Sequence, residues 1–119
     1  MAERRHAGTA YVVAPDTEAG SGPGVLVLHS WWGLTSFFRG VADRLADAGF
    51  VALAPDLFAG ETADTPDDGR ALLAGADVTS MVGLVHSSVA VLRGLPITPD
   101  APVGIVGFSM GASLALREA

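Results

Sequence analysis

The sequence predicts an α/β domain with a mostly parallel sheet and flanking helices, and three observations point there. Short apolar runs at 25–28, 50–54 and 103–108, bounded by glycine or proline, read as strands buried on both faces. Segments of helical periodicity separate them. The resulting order (strand, helix, strand, helix, helix, strand, helix) is that of parallel strands joined by crossover helices.

In chain order, residues 9–13 form a first short strand, and 15–24, rich in Gly, Pro, Ser and acidic residues, form a turn or exposed loop. The run Val25, Leu26, Val27, Leu28 is the first buried parallel strand. A helix follows His29-Ser30-Trp31-Trp32-Gly33, with Thr35 or Ser36 as cap. Phe38, Val41, Ala42, Leu45 and Ala46 recur on its inner face, Arg39, Asp43, Arg44 and Asp47 on the outer, and Gly49 stops it. Residues 50–54 are a strand ended by Pro55, and 56–68 a polar loop with acidic clusters. Helices are expected over 66–76 and beyond, where Val78, Met81, Val82, Val85, Val89 and Leu92 make one apolar stripe. A loop with two prolines spans 95–101. The strand at 103–108 then runs into Gly107-Phe108-Ser109-Met110-Gly111 and a helix-forming stretch, 112–119.

The 119 residues suit a single domain, and a 50% hydrophobic composition supports a folded core. A net charge of −6, with all seven basic residues arginine and scattered, excludes an electrostatic nucleic-acid footprint. The absence of cysteine excludes disulfides, thiolate metal sites and a cysteine nucleophile. No metal or cofactor motif is present. With no signal-peptide pattern and no apolar run of membrane-spanning length, a cytoplasmic chain without membrane association is expected.

The motif centred on Ser109 has a chemical logic. A serine on a sharp strand-to-helix turn is exposed at the carboxyl end of the sheet, and Gly107 and Gly111 prevent collisions with the neighbouring strand and helix. The N-terminus of the following helix offers N–H groups to an oxyanion. A glycine-rich packing turn, or a phosphate-binding turn lacking the P-loop lysine, fits the same pattern. A second element, residues 29–33, leaves the carboxyl end of the first parallel strand. His29, Ser30 and Trp32 are candidates to line a pocket there; the alternative is that both indoles pack beneath the loop, and for at least one of them this is the better reading.

The blocks VLVLHSWWGLTSFFRGVADRLADAGFVALAPDLFAG and VGIVGFSMGAS, in this order, resemble the dienelactone hydrolase family of α/β-hydrolases. The resemblance implies an α/β-hydrolase-like fold that stops after the nucleophile elbow. It also implies a carboxylic-ester or lactone hydrolase acting on a small-molecule substrate without a cofactor. It makes Ser109 the nucleophile, where the type enzyme carries cysteine, and makes the backbone N–H groups of Trp31 and Met110 the oxyanion hole. Ser30 replaces a glutamate that contacts the resting thiol in type enzymes. Arg70 lies in the region of the arginines that grip a dienelactone carboxylate, but does not align with them.

In this fold the triad acid and histidine follow the nucleophile. Only Glu118 does so here, in the wrong place, on the helix after the elbow. Of the histidines, His6 lies in the terminus, His86 borders an apolar stripe as a partly buried structural residue, and only His29 is near the functional edge. Asp56 is expected to orient a turn. A serine without a base is a poor nucleophile, so little turnover is expected of these residues alone. The alternative is a catalytically inactive α/β fragment or interaction module. The 103–108 strand is expected to expose an apolar edge that promotes self-association.

Overall fold

The computed structural model describes residues 10–16, 20–99 and 102–119, together with the backbone of residues 4–6. Two strands, β1 (Arg4–His6) and β2 (Ala10–Val13), pair antiparallel at the start. Then β3 (Gly24–Leu28) leads through α1 (Ser36–Asp47) to β4 (Val51–Pro55). The chain continues through α2 (Pro66–Ala74) and α3 (Val78–Gly94) into β5 (Gly104–Gly107) and α4 (Met110–Glu118). The sheet order is β1-β2-β4-β3-β5, parallel across β4, β3 and β5 and antiparallel where β2 joins β4. The strand β1 was not expected, because three polar residues carry no apolar signal. Thr9, the His6 side chain and residues 17–19, 100 and 101 lie outside the described residues.

Alternating strand side chains feed two cores. On one face Val13, Val27, Ala52 and Ala54 meet Phe38, Ala42 and Ala46 of α1. On the other, Leu26, Leu28, Val51 and Leu53 meet Met81, Val85 and Leu92 of α3 and Leu114 of α4. Both β3 and β4 are buried throughout, which explains their continuous apolar runs. The helix ends follow the local sequence. Gly49 takes φ 103°, allowing its N–H and that of Phe50 to close on Ala46 and Leu45 at 3.0 Å each. The Thr65 hydroxyl caps α2 at the Asp68 N–H (3.1 Å), and Asp77 caps α3 at the Thr79 N–H (3.1 Å). Thr35 occupies the N-cap of α1 without a side-chain cap bond.

The apolar run at 103–108 reads as a buried strand, but the strand is half-exposed, with the apolar edge that was also expected of it. It has β3 on one side and an open edge on the other, with Val106 37% exposed and Leu116 of α4 79% exposed. A periodicity argument sees the apolar run but not how many neighbours the strand acquires.

Connections from the central strands diverge. The chain leaves β3 for α1 on one face, and leaves β5 for α4 on the other. Such a switch point opens a crevice at the carboxyl ends of the two strands. The two sequence blocks singled out above, 29–33 and 107–111, are the segments that emerge there.

Candidate active site

The elbow follows directly from β5. The Phe108 N–H donates to the Leu28 carbonyl at 3.1 Å, extending the β3–β5 ladder one residue past the strand. Ser109 then turns the chain at φ 56° and ψ −111°, one of two non-glycine residues with positive φ among those described. A backbone in that region costs about 1–3 kcal/mol and persists only where its surroundings enforce it. Two close approaches do so. A Cβ on Gly107 would stand 2.7 Å from the Ala112 Cα and nearer still to the Gly111 carbonyl. A Cβ on Gly111 would stand 2.6 Å from the His29 carbonyl oxygen and nearer still to that of Leu28. Both glycines are therefore sterically required: Gly107 lets α4 fold back over β5, and Gly111 lets α4 start against the end of β3.

Ser109 is exposed at the N-cap of α4, and its carbonyl accepts from the N–H groups of Ala112 (2.9 Å) and Ser113 (3.3 Å). Among the described residues no hydrogen bond engages the N–H of Met110, the first residue of α4, or that of Trp31. An exposed hydroxyl beside a helix N-terminus is suited to acyl transfer, in which the helix end favours the negative charge that develops.

The β3–α1 loop is braced from below. A turn closes with the Gly33 N–H on the Ser30 carbonyl at 3.1 Å, and the Trp32 carbonyl accepts from the Ala63 N–H at 3.0 Å. Gly33, at φ 87°, is pressed so closely on the β4–α2 loop that a Cβ would come within 2.5 Å of the Glu61 carbonyl. Trp31 lies against α2. Its indole is so near Gly69 that a Cβ there would sit 3.1 Å from the ring, and the Arg70 guanidinium covers it at 5.9 Å. Arg70 is also paired with Asp67. The Arg70 side chain thus stacks on the loop, in an arrangement its sequence position does not reveal.

The three residues expected to line a pocket separate. Ser30 and Trp32 border a cavity of about 470 Å³, with Thr35, Phe37, Phe38, Ala63 and Phe108 as the other walls. His29 does not reach it. The imidazole is fully buried between Phe38 and Phe58, ring centroids 6.2 and 5.1 Å away, and both its nitrogens are engaged. Nε2 accepts from the Leu57 N–H at 2.9 Å, so Nδ1 carries the proton and donates to the Ser30 carbonyl at 2.7 Å. Burial lowers its pKa below the ordinary 6.5, with the Ser30 hydrogen bond and the nearby Asp56 charge opposing in part. The ring is a neutral strut between two loops, unavailable as a base for Ser109.

Asp56 and His86 are engaged elsewhere as well. Asp56 is buried and accepts from the N–H groups of Phe58 (3.2 Å) and Gly60 (3.0 Å), holding the turn after β4. His86 is exposed rather than partly buried, 79% open, and its Nδ1 meets Glu118 at 3.2 Å across α3 and α4. The apolar stripe had suggested burial, but His86 projects from its rim. No histidine touches Ser109, and no cluster of metal-ligating side chains occurs, among the described residues. No single helix among them is long and apolar enough to cross a membrane. The aromatic wall of Phe37, Phe38 and Phe108 was missed by sequence reading. The adjacent phenylalanines opening α1 were its only signal.

Comparison with known proteins agrees with this architecture. A model of the dienelactone hydrolase family matches residues 9–119. The chain is 39% identical over 101 residues to protein usf of Aquifex pyrophilus, covering 80% of this chain and 44% of the other. It is 29% identical over 106 residues to the carboxymethylenebutenolidase of Pseudomonas putida, covering 82% of this chain and 44% of the other. The solved structure named m3DLH superposes with a TM-score of 0.80 at 28% identity, over 100% of this chain and 52% of that one. The chain thus spans about half the length of these relatives or less. With the matched segment running from before β2 to the end of α4, the chain belongs to the dienelactone hydrolase family, within the α/β-hydrolase fold.

Proposed function

We propose that this chain carries the nucleophile and oxyanion-binding part of a serine hydrolase that cleaves an ester or lactone. The observation that carries the proposal is the strained, exposed Ser109, held at φ 56° between two glycines that nothing larger can replace. In the proposed reaction Ser109 Oγ attacks the substrate carbonyl carbon while its proton passes to a base. The carbonyl π electrons move onto oxygen, where the N–H groups of Met110 and Trp31 receive the charge. Collapse of the tetrahedral species expels the alcohol, or opens the lactone, and leaves an acyl group on Ser109. Water, with the same base, then releases the acid. His29 is committed elsewhere and His86 is paired with Glu118, so the base and its orienting acid belong to polypeptide beyond the described residues.

Chemical rescue tests this reading. A fluorophosphonate should label Ser109 slowly in the 119-residue chain and faster as imidazole is added, because free imidazole supplies the missing base. The adduct, located by mass spectrometry, should vanish in Ser109→Ala. A folded sample with no imidazole-dependent adduct at Ser109 would instead support an inactive interaction module.

The open edge of β5 leads to a second expectation for these residues on their own. Unpaired strand groups next to exposed Val106 and Leu116 favour association with a second copy. Sedimentation velocity should show concentration-dependent association that Val106→Lys weakens. A monomer at all concentrations would refute this.

A further inference from the structure

We propose that the cavity beside Ser109 takes an uncharged aromatic group of the substrate, so that the cognate ester is neutral at that end. This deepens the serine-hydrolase reading and rests on Ser109 as nucleophile. The cavity adjoins the elbow, because Phe108, the residue before Ser109, is one of its walls. Its rings meet at steep angles. Phe37 stands at 83° to Phe108 and 88° to Phe38, with centroids 6.3 and 5.1 Å apart, and Phe38 meets Phe108 at 62° and 5.2 Å. Trp32 adds a further wall from the β3–α1 loop. Edge-to-face clusters of this kind extend readily to one more ring, which adds the favourable quadrupole geometry to the burial of apolar area. The volume, about 470 Å³, lies within the range of small-molecule pockets.

The polar groups of the wall set the charge. Ser30 and Thr35 contribute the hydroxyls, and no cationic side chain among the described residues lines the cavity. The nearest arginine in sequence, Arg39, donates Nη1 to the Leu34 carbonyl at 2.7 Å. Arg70 is stacked on Trp31 and paired with Asp67. A carboxylate set against these rings would lose part of its hydration without gaining a cationic partner among the described residues, which is unfavourable. A ring bearing an ester or ether suits it, and a ring bearing an acid does not.

Trp31 and Trp32 are the only tryptophans, so tryptophan fluorescence, excited selectively over Tyr11, reports on this corner of the molecule. The Ser109→Ala chain, which cannot turn over substrate, is titrated with methyl phenylacetate and, separately, with phenylacetate. The neutral ester should give a saturable change, and the anion should bind at least tenfold more weakly. Phe37 is 58% exposed, so Phe37→Ala should fold and lose at least fivefold in affinity for the ester. Phe37→Lys should reverse the order of the two probes. Equal affinity for both in the parent chain, or unchanged binding in Phe37→Ala with native circular dichroism, would overturn the proposal. Because binding is read without Ser109, the two readings fail separately. Labelling of Ser109 without ester binding refutes the pocket alone, and ester binding without labelling refutes the nucleophile alone.

Discussion

Gly111→Ala should destabilise the chain by about 3 kcal/mol, enough to unfold a marginal domain, and should remove Ser109 labelling. The added methyl has no torsion with which to escape. It would lie 2.6 Å from the His29 carbonyl oxygen, with the Leu28 carbonyl nearer still, and both are backbone atoms of a strand end buried in the sheet. Relief requires α4 to move away from β3, which disturbs the packing of Leu114 on Leu26 and Leu28 and withdraws the Met110 N–H from the elbow. The cost is wholly steric, because Gly111 is absent from the glycines with positive φ. Gly40→Ala provides the internal comparison. It lies inside α1, and a methyl group there would meet nothing within 4 Å, so alanine should stabilise by about 0.5–1 kcal/mol through helix propensity. Urea denaturation of both variants beside the parent chain measures the difference. A Gly111→Ala chain as stable as the parent would mean that α4 does not start against β3 in this way.

The elbow glycines also show where sequence reading succeeds and where it stops. Gly107 and Gly111 were legible because their spacing around a serine, after an apolar run, implies one particular turn. Gly33 and Gly69 are also tightly packed, but each is constrained by a segment far along the chain: Gly33 by Glu61 and Thr62, Gly69 by the indole of Trp31. No local pattern encodes such an approach. The same distinction explains the strands. β3 and β4 announced themselves because burial on both faces demands an unbroken apolar run, whereas β1, made of Arg4, Arg5 and His6, is a strand only by virtue of pairing with β2. The half-exposure of β5 follows from sheet order, a property of the whole fold.

At the candidate site, the strand–turn–helix motif around Ser109 was legible and its surroundings were not. Ser109 stands out by motif. The pocket instead depends on Phe37, Phe38 and Phe108, which come from two elements that meet only once α1 is folded onto the sheet. His29 shows the converse error, of treating nearness to the functional edge as participation. From sequence it is the one histidine close to the right end of the sheet. Its burial and its two hydrogen bonds give it a different role, and that role makes a measurable claim about pH.

Stability should fall as pH drops below about 6.5, and His29 should be the principal cause. Burial keeps its pKa below the ordinary 6.5 in the folded chain, while in the unfolded chain it titrates at the ordinary value. Between the two values the unfolded state binds the extra proton, so unfolding becomes easier with every step toward acid. The stabilisation is fully present above about pH 6.5 and is lost as pH falls through the lowered folded value, with a limiting slope of about 1.4 kcal/mol per pH unit. Exposed Asp77, whose pKa is lowered mainly by its Ser80 hydrogen bond, matters only at far more acidic pH. Protonation of His29 also has a geometric cost. Its Nε2 would carry a hydrogen facing the Leu57 N–H 2.9 Å away, placing donor against donor where one strut now joins the β4–α2 turn to the loop of Ser30 and Trp31. His29→Asn should therefore be less stable at about pH 7.5 by about 1–3 kcal/mol, with a flatter pH dependence from there to about pH 5. Imidazole-dependent labelling of Ser109 in the parent chain, corrected for the free-base fraction of imidazole, should decline over the same interval as the Trp31 segment loosens. Parallel stability profiles for the parent and His29→Asn would show that this ring is not the buried neutral strut described above.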